Sequence, residues 1–190
     1  MKVGLFFGSF NPVHVGHMII ANFMATQTDL QRVWLVVSPQ NPFKQKSSLM
    51  NDYLRLDLVN LAIGDNERLL ACDIEFGLAK PSYTIDTLLY LEEKYPQHEF
   101  VLIMGSDNVE TLHKWKNAGV LLQRHDIYVY RRPGYSDTQN LPAYARLHHF
   151  DCPLMALSST YIRDCIRQGK SVRYLVPDAV YHYLEHTKVF

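Results

Sequence analysis

The chain carries no surplus of charge of either sign: 19 Lys and Arg stand against 19 Asp and Glu among 190 residues, a formal net charge of zero. A polyanion-binding surface needs a basic excess, so nucleic acid is not an expected partner, and any nucleotide must be small and held in a local pocket. No apolar run approaches the ~20 residues of a membrane span, which removes a membrane partner. The opening MKVGLFFGSF is interrupted by glycine too early to read as a secretory signal. Cysteine is scarce, with only Cys72, Cys152 and Cys165, widely spaced and odd in number. That argues against a disulfide framework and for a reducing, cytoplasmic setting. Cysteines paired at short spacing are missing as well, so HHFDC (148–152) is a weak zinc candidate, and no protein metal site is expected. RLHHFD (146–151) is expected to expose one histidine and pack the other.

Two common nucleotide fingerprints are absent. The glycines of the first strand are Gly4 and Gly8, which do not make G-x-G-x-x-G. Gly169, Lys170 and Ser171 resemble the tail of a phosphate-binding P-loop, but Asp164 stands where that loop needs glycine, and the segment follows a helix rather than a strand.

What is present is a full core's worth of apolar residues, 47% of a chain of ordinary domain length. Short apolar runs alternate with amphipathic segments along it. Strands are expected at KVGLFF, RVWLVVS, RLLACDIE, EFVLIMG, DIYVYRR and, at an edge, RLHHFD. Helices are expected at HVGHMIIANFMATQT, at DYLRLDLVNLAI with Leu54, Leu58 and Leu61 on one stripe, at SYTIDTLLYLEEKY, around Asn108 to Lys114, at STYIRDCIRQG and at PDAVYHYLEH. Strand–helix alternation implies an α/β fold: a Rossmann-like, doubly wound parallel sheet in a single domain over residues 1–190, closed by a helical C-terminal segment. Ligands of such sheets sit beyond the carboxyl ends of the strands, where strand order reverses. The unusual polar residues fall at such ends, in 8–11, 38–44, 105–108 and 131–133. RRPGYSDTQNLPAY (131–144) reads as a surface excursion.

GSFNPVHVGH (8–17) is the first chemically unusual stretch. Gly8 allows close approach at a strand end, Pro12 sets a bend, and a helix beginning near Val15 offers N–H groups and a partial positive charge. His14 and His17, three apart in its first turn, can face one point. A helix terminus contributes only ~0.3–1 kcal/mol toward an anion, so a triphosphate would need the histidines, cationic side chains and a metal counter-ion besides. LSSTYIR (157–163) is the second stretch. Ser158 and Ser159 are natural N-caps, and Arg163 lies one turn beyond Ser159, so that hydroxyl and guanidinium could meet one phosphate. Two histidines at this spacing after this turn favour a ligand site over merely polar residues at a helix start, whereas LSSTYIR alone reads better as an ordinary capped helix with an exposed arginine.

Together, G-x-F-x-P-x-H-x-G-H and S-S-T-x-I-R resemble the nucleotidyltransferase superfamily, and in particular the bacterial nicotinate mononucleotide adenylyltransferases, over nearly the whole chain. NPFK (41–44), PSYTIDTL (81–88), GSDN (105–108), Trp115 with Lys116, RRP (131–133) and SVRYLVPDAV (171–180) carry the likeness further. One departure is that Phe7, Gly8, Ser9, Phe10 and Asn11 stand where those enzymes usually read Gly-Gly-Thr-Phe-Asp. The resemblance implies in-line attack of a mononucleotide 5′-phosphate on the α-phosphorus of Mg-ATP, with pyrophosphate leaving and no covalent enzyme intermediate. It assigns catalysis to His14, His17 and Arg163. It assigns ATP to Gly8, Ser9, Phe10, His14, His17, Lys44, Gly105, Asp107, Ser159, Thr160 and Arg163, with the backbone of 127–131 as a candidate for adenine. It assigns nicotinate mononucleotide to Asn41, Tyr83, Thr84, Trp115, Lys116 and Arg132, and it leaves Mg2+ to the ATP phosphates. The alternatives are a sister transferase acting on phosphopantetheine or a sugar or polyol phosphate, and a non-catalytic nucleotide sensor. The pantetheine enzymes typically have threonine where His14 stands and lack the Thr84–Trp115 pair.

Overall fold

The computed structural model describes residues 1–39, 49–135, 141–187 and 189–190. Strands β1 (Lys2–Gly8), β2 (Arg32–Val37), β3 (Leu69–Cys72), β4 (Glu99–Gly105), β5 (Ile127–Tyr130) and β6 (Leu147–Phe150) form one all-parallel sheet in the order β3-β2-β1-β4-β5-β6. This is the doubly wound order in which strand succession reverses between β1 and β4. Helices α1 (Val15–Gln27), α2 (Asp52–Ile63), α3 (Thr84–Lys94), α4 (Ser106–Val109), α5 (Ala118–Arg124), α6 (Ser159–Arg167) and α7 (Asp178–His186) complete the fold. Among the described residues no helix is long and apolar enough to cross a membrane.

Strand side chains alternate between two cores. Phe6, Val33, Leu35, Val37, Val101, Ile103, Tyr128 and Tyr130 point to the face packed by residues of α1, α2, α6 and α7. Val3, Leu5, Trp34, Val36, Phe100, Leu102, Met104, Ile127 and Val129 point to the face packed by α3, α4, α5 and the short 3-10 turn Leu112–Lys114. Both faces are covered, which is why the strands read as nearly continuous apolar runs.

The register opens the sheet where a ligand would enter. β1 pairs with β2 as far as Gly8 beside Val37, and β4 pairs with β5 as far as Gly105 beside Tyr130. The β1–β4 ladder, however, ends at Phe6 beside Ile103. The last two residues of each central strand therefore part from one another and leave a crevice between them.

Three local expectations are corrected. The strand expected over RLLACDIE ends at Cys72, and Ile74–Gly77 is a 3-10 turn. The single helix expected around Asn108 to Lys114 is two short pieces, α4 and Leu112–Lys114, followed by an unexpected α5. On α2, Leu58 is buried as expected but Leu61 is 39% exposed, and the inward face carries Arg55 and Val59 instead. The Arg55 guanidinium turns inward to reach carbonyl groups at the strand ends, and the helix rolls with it. β6 is the edge strand expected, with His148 exposed and His149 half-buried.

Gly4 tests the packing between the central strands. A Cβ there would lie 2.6 Å from Ile103 Cδ1 and 2.6 Å from Leu30 Cδ1, inside the α1 face of the core. Gly4→Val is expected to lower stability by about 1–3 kcal/mol through overpacking, leaving the denaturant slope unchanged, as read by urea unfolding. A wild-type midpoint would show that the Leu30 and Ile103 side chains yield freely.

Candidate active site

The β1–α1 turn forms one wall of the crevice. Phe10 holds a left-handed backbone conformation (φ 45°) and swings its ring back over Gly8, where an added Cβ would meet Phe10 Cζ at 2.8 Å. The glycine is thus required by this ring, which is only 1% exposed, and Phe10 can offer a ligand little but backbone. Asn11 is buried and its Oδ1 accepts from the Met50 amide at 3.0 Å. His14 is the N-cap of α1, its own amide donating to His17 Nδ1 at 3.2 Å. The two imidazoles stack with centroids 3.6 Å apart, and Phe10 lies edge-on to His17 at 5.0 Å. The spacing of three thus brings both rings to one point. The helix end is less open than expected, because the Val15 amide donates to Leu175 O at 3.1 Å.

Helix α6 docks onto this turn from the far end of the chain. Ser158 caps it, accepting from the Tyr161 amide at 3.2 Å. Ser159 Oγ donates to Pro12 O at 2.9 Å, and Arg163 donates to Asn11 O through Nη1 at 2.9 Å and to Thr160 Oγ1 through Nη2 at 3.1 Å. The second motif is therefore bolted to the first by two side-chain-to-carbonyl bonds spanning about 150 residues of sequence.

The end of β4 supplies the opposite wall. A Cβ at Gly105 would run into the Asp107 carboxylate and come within 3.0 Å of Arg132 Nε, so glycine lets both side chains fold over the strand end. Arg132 Nη1 lies 3.4 Å from Asp107 Oδ2, and the Arg132 amide donates to Ser106 Oγ at 2.8 Å. Burial, helped by the positive charge of Arg132, pushes the His14 imidazole down to about 4. Arg132 thus stands beside Asp107 and His14, two residues expected for ATP. His14 Nδ1, Asp107 Oδ1 and Arg163 Nε are buried polar atoms that find no hydrogen-bond partner among the described residues. Buried polar atoms normally do find one, so three orphans around one crevice suit a polar ligand.

Beneath these groups lies a cavity of about 720 Å³ lined by Gly8, Ser9, Asp107, Tyr83, Thr84 and Trp115 among others. A volume of that size falls in the ordinary range of small-molecule sites. α3 begins at Thr84 and opens into it without a side-chain cap, while half-buried Trp115 and exposed Lys116 border it from the segment before α5. Lys116 Nζ pairs with Asp86 Oδ2 at 2.7 Å and sits 4.8 Å from the Tyr83 ring centroid. Asn41 and Lys44 lie outside the described residues. The cavity also exposes Ser38, from the strand-end stretch 38–44, and one group that the sequence did not suggest, Glu75. Glu75 is 2% exposed, and burial pushes its carboxyl up although hydroxyls of Thr87, Ser38 and Ser82 donate to it. Its signal is a lone acidic residue between apolar ones, which by itself looks like any turn.

Among the described residues no three His, Cys, Asp or Glu side chains gather as a metal-binding group. The crevice instead collects imidazole, guanidinium and hydroxyl donors, a set suited to phosphate oxygens rather than to a bare cation. His14 also links the site to folding. Its imidazole titrates near 6.5 in the unfolded chain and near 4 in the fold, so between those values the unfolded chain holds the extra proton. Its contribution is complete above pH 6.5 and is lost as pH falls to about 4, reaching about 3 kcal/mol at ~1.4 kcal/mol per pH unit. His14→Asn should therefore flatten the acid limb of the stability curve over that window in urea titrations. Parallel curves would contradict the burial of a neutral imidazole.

Comparison with known proteins follows the same lines. The Cytidylyltransferase-like family matches residues 5–165. The chain is 49% identical over 191 aligned residues to a nicotinate-nucleotide adenylyltransferase of Flavobacterium johnsoniae, covering 100% of this chain and 99% of that one. It is 53% identical over 180 residues to the enzyme of the same name from Cytophaga hutchinsonii, with 95% and 93% covered. Among solved structures, the Plasmodium falciparum nicotinic acid mononucleotide adenylyltransferase complexed with NaAD shares the fold at a TM-score of 0.77 and 14% identity, covering 97% of this chain and 94% of that one. On this near full-length identity the chain belongs to the Cytidylyltransferase-like family, in the branch made up of the nicotinate-nucleotide adenylyltransferases.

Proposed function

We propose that the chain, acting as one domain in the cytoplasm, transfers the adenylyl group of ATP to the 5′-phosphate of nicotinate mononucleotide. The products are nicotinate adenine dinucleotide, a precursor of NAD, and pyrophosphate. The observation that carries this reading is the docking of α6 on the β1–α1 turn, at 2.9 Å from Ser159 to Pro12 and 2.9 Å from Arg163 to Asn11. It brings two separate sets of phosphate-seeking side chains to one turn, whose Gly8 and Ser9 line the cavity. The relatives' shared name supports the substrate pair.

In this scheme Mg2+ arrives as the counter-ion of ATP and belongs to the substrate, where it neutralises phosphate charge. Gly8, Ser9 and Phe10 meet ATP through the backbone of the turn. Thr160 and Arg163, on α6 held by Ser159, take the β- and γ-phosphates that become the leaving group. His14, uncharged in the free protein, presents an imidazole to the phosphates, and His17 above it stabilises charge that develops at the α-phosphorus. Asp107 accepts from the adenosine ribose hydroxyls over Gly105, with Arg132 turned toward the phosphates. Lys44 adds a cation. On the other side Trp115 stacks on the pyridine ring, and the first turn of α3 at Tyr83 and Thr84, together with Lys116 and Asn41, receives the pyridine carboxylate. Nothing in this chemistry needs an activated protein nucleophile. The mononucleotide phosphate attacks directly, and the enzyme contributes alignment and electrostatics.

The test of the reaction is pyrophosphate release from Mg-ATP with nicotinate mononucleotide, nicotinamide mononucleotide or phosphopantetheine in separate tubes. Release is expected with the first; release with phosphopantetheine alone would overturn the assignment of Thr84 and Trp115. His17→Ala is expected to stay folded and lose on the order of 10²–10³ in kcat, the scale of one preorganised donor. Near wild-type turnover would remove His17 from the transition state. Trp115→Ala is expected to raise KM for the mononucleotide with little change for ATP, whereas equal losses for both substrates would make it a packing residue.

A further inference from the structure

Arg55 and Glu75 lie outside every sequence stretch that suggested the site, yet both are buried ionisable groups beside it, 0% and 2% exposed, Glu75 lining the cavity and Arg55 lying behind its Ser9 and Ser38. Arg55 reaches inward from the first turn of α2. Its Nη1 donates to Ser9 O in the phosphate turn and to Ser38 O at 2.9 Å, its Nε to Met50 O at 3.2 Å, and its Nη2 pairs with Asp52 Oδ1 at 2.7 Å. Ser38, just beyond β2, is the meeting point. Its amide donates to Gly8 O at 2.9 Å, and it lines the cavity together with Glu75, whose carboxyl its hydroxyl helps to hold down against burial. Glu75 in turn accepts from Ser82 Oγ at 3.0 Å and from Thr87 Oγ1 at 2.8 Å, the two residues that flank Tyr83 and Thr84 at the start of α3. A second branch leaves Asp52 through Lys80 Nζ at 3.2 Å and ends next to the same loop.

The chain of contacts runs from Ser9 through Arg55, Ser38 and Glu75 to Ser82 and Thr87, from one half of the cavity to the other. The Arg55 links are charge-assisted hydrogen bonds, the stiffest kind available to a side chain, and those of Glu75 to Ser82 and Thr87 tie down both carboxyl oxygens. Burying a cation and a carboxylate is costly unless every lone pair and proton finds a partner, and apolar side chains could fill the same space more cheaply. Charged groups here do what apolar ones cannot. They fix the direction and separation of the backbone segments whose carbonyls and hydroxyls they hold.

We propose that Arg55 and Glu75, joined at Ser38, are positioning residues that form a strut setting the spacing between the phosphate turn and the mononucleotide half of the cavity. This rests on the transfer reaction proposed above. In-line attack needs the two reacting atoms ~3–3.5 Å apart, and a misplacement of ~1 Å costs ~10² in rate. Each substrate alone needs only its own half of the site. Shortening or loosening the strut therefore damages the reaction of the two bound substrates and leaves the binding of each one nearly untouched.

Glu75→Ala, Glu75→Gln and Ser38→Ala separate this from a purely structural role. The last removes only the hydroxyl link and keeps the Ser38 backbone bonds to Arg55 and Gly8, so it remains informative if Glu75→Ala does not fold. Binding of ATP alone and of nicotinate mononucleotide alone is measured by calorimetry, and the single-turnover rate is measured with both substrates saturating. Glu75→Ala is expected to lose ~10–10² in rate while each Kd stays within ~3-fold. Glu75→Gln, which can still accept from a hydroxyl, should recover most of the rate, and Ser38→Ala should fall between. A rise in the mononucleotide Kd with the rate intact would make Glu75 part of the binding pocket, and unchanged rates in Glu75→Ala, or in Ser38→Ala, would remove the strut. Wild-type protein that makes no dinucleotide from nicotinate mononucleotide overturns the functional reading itself, and the strut with it, before any variant is compared.

Discussion

Backbone pairing between β1 and β4 runs out at Phe6 and Ile103, and the two residues of each strand beyond that point have no neighbour across the gap. The gap follows from topology. The chain leaves β1 toward one edge of the sheet and returns to build β4 on the other side, so the connections after these two strands depart on opposite faces. The last residue of each strand is a glycine, and neither adds a side chain to the crevice. Gly8 yields its Cβ space to the ring of Phe10, and Gly105 yields its own to Asp107 and Arg132. Once the crevice exists, the helix starts that border it converge on one volume, and the site follows from that convergence.

The electrostatics of the molecule are local. The chain as a whole is neutral, yet His14 and Arg163 on one wall of the crevice and Arg132 on the other are brought together, with Arg55 buried behind Ser9. These charges are individually stabilised by carbonyl oxygens or by a single carboxylate, so the site is preorganised rather than merely basic. His14 shows the cost of that arrangement. Burial and a nearby guanidinium keep it uncharged near neutral pH. Arg55 shows the complementary solution, a cation made tolerable in the interior by carbonyl groups from three segments.

Much of this is legible in the residues before any fold is known. The alternation of apolar strands with amphipathic helices defines the parallel sheet because both of its faces must be covered. The two motifs are readable because their chemistry is local: histidines three apart on a helix turn must face one way, and a serine before a helix caps it. Other elements are not readable in this way. α5 escapes notice because AGVLLQR is too short to show a helical period, and Leu61 was expected inside because a stripe of leucines normally faces the core. Arg55 overrides that stripe through bonds to carbonyls 17 and 46 residues away, and local periodicity contains no trace of them.

The amino-acid sequence alone determines the order of strands and helices, the family, and the residue types of the phosphate-seeking turns, since each rests on patterns a few residues long. Only the tertiary structure decides that Ser159 and Arg163 meet Pro12 and Asn11, that Arg132 stands by Asp107 and His14, and that Glu75 and Ser38 join the cavity floor. Those are contacts between segments far apart along the chain. Their partners are chosen by how the sheet and its helices pack, and the free energy of packing is a property of the whole core rather than of any stretch within it.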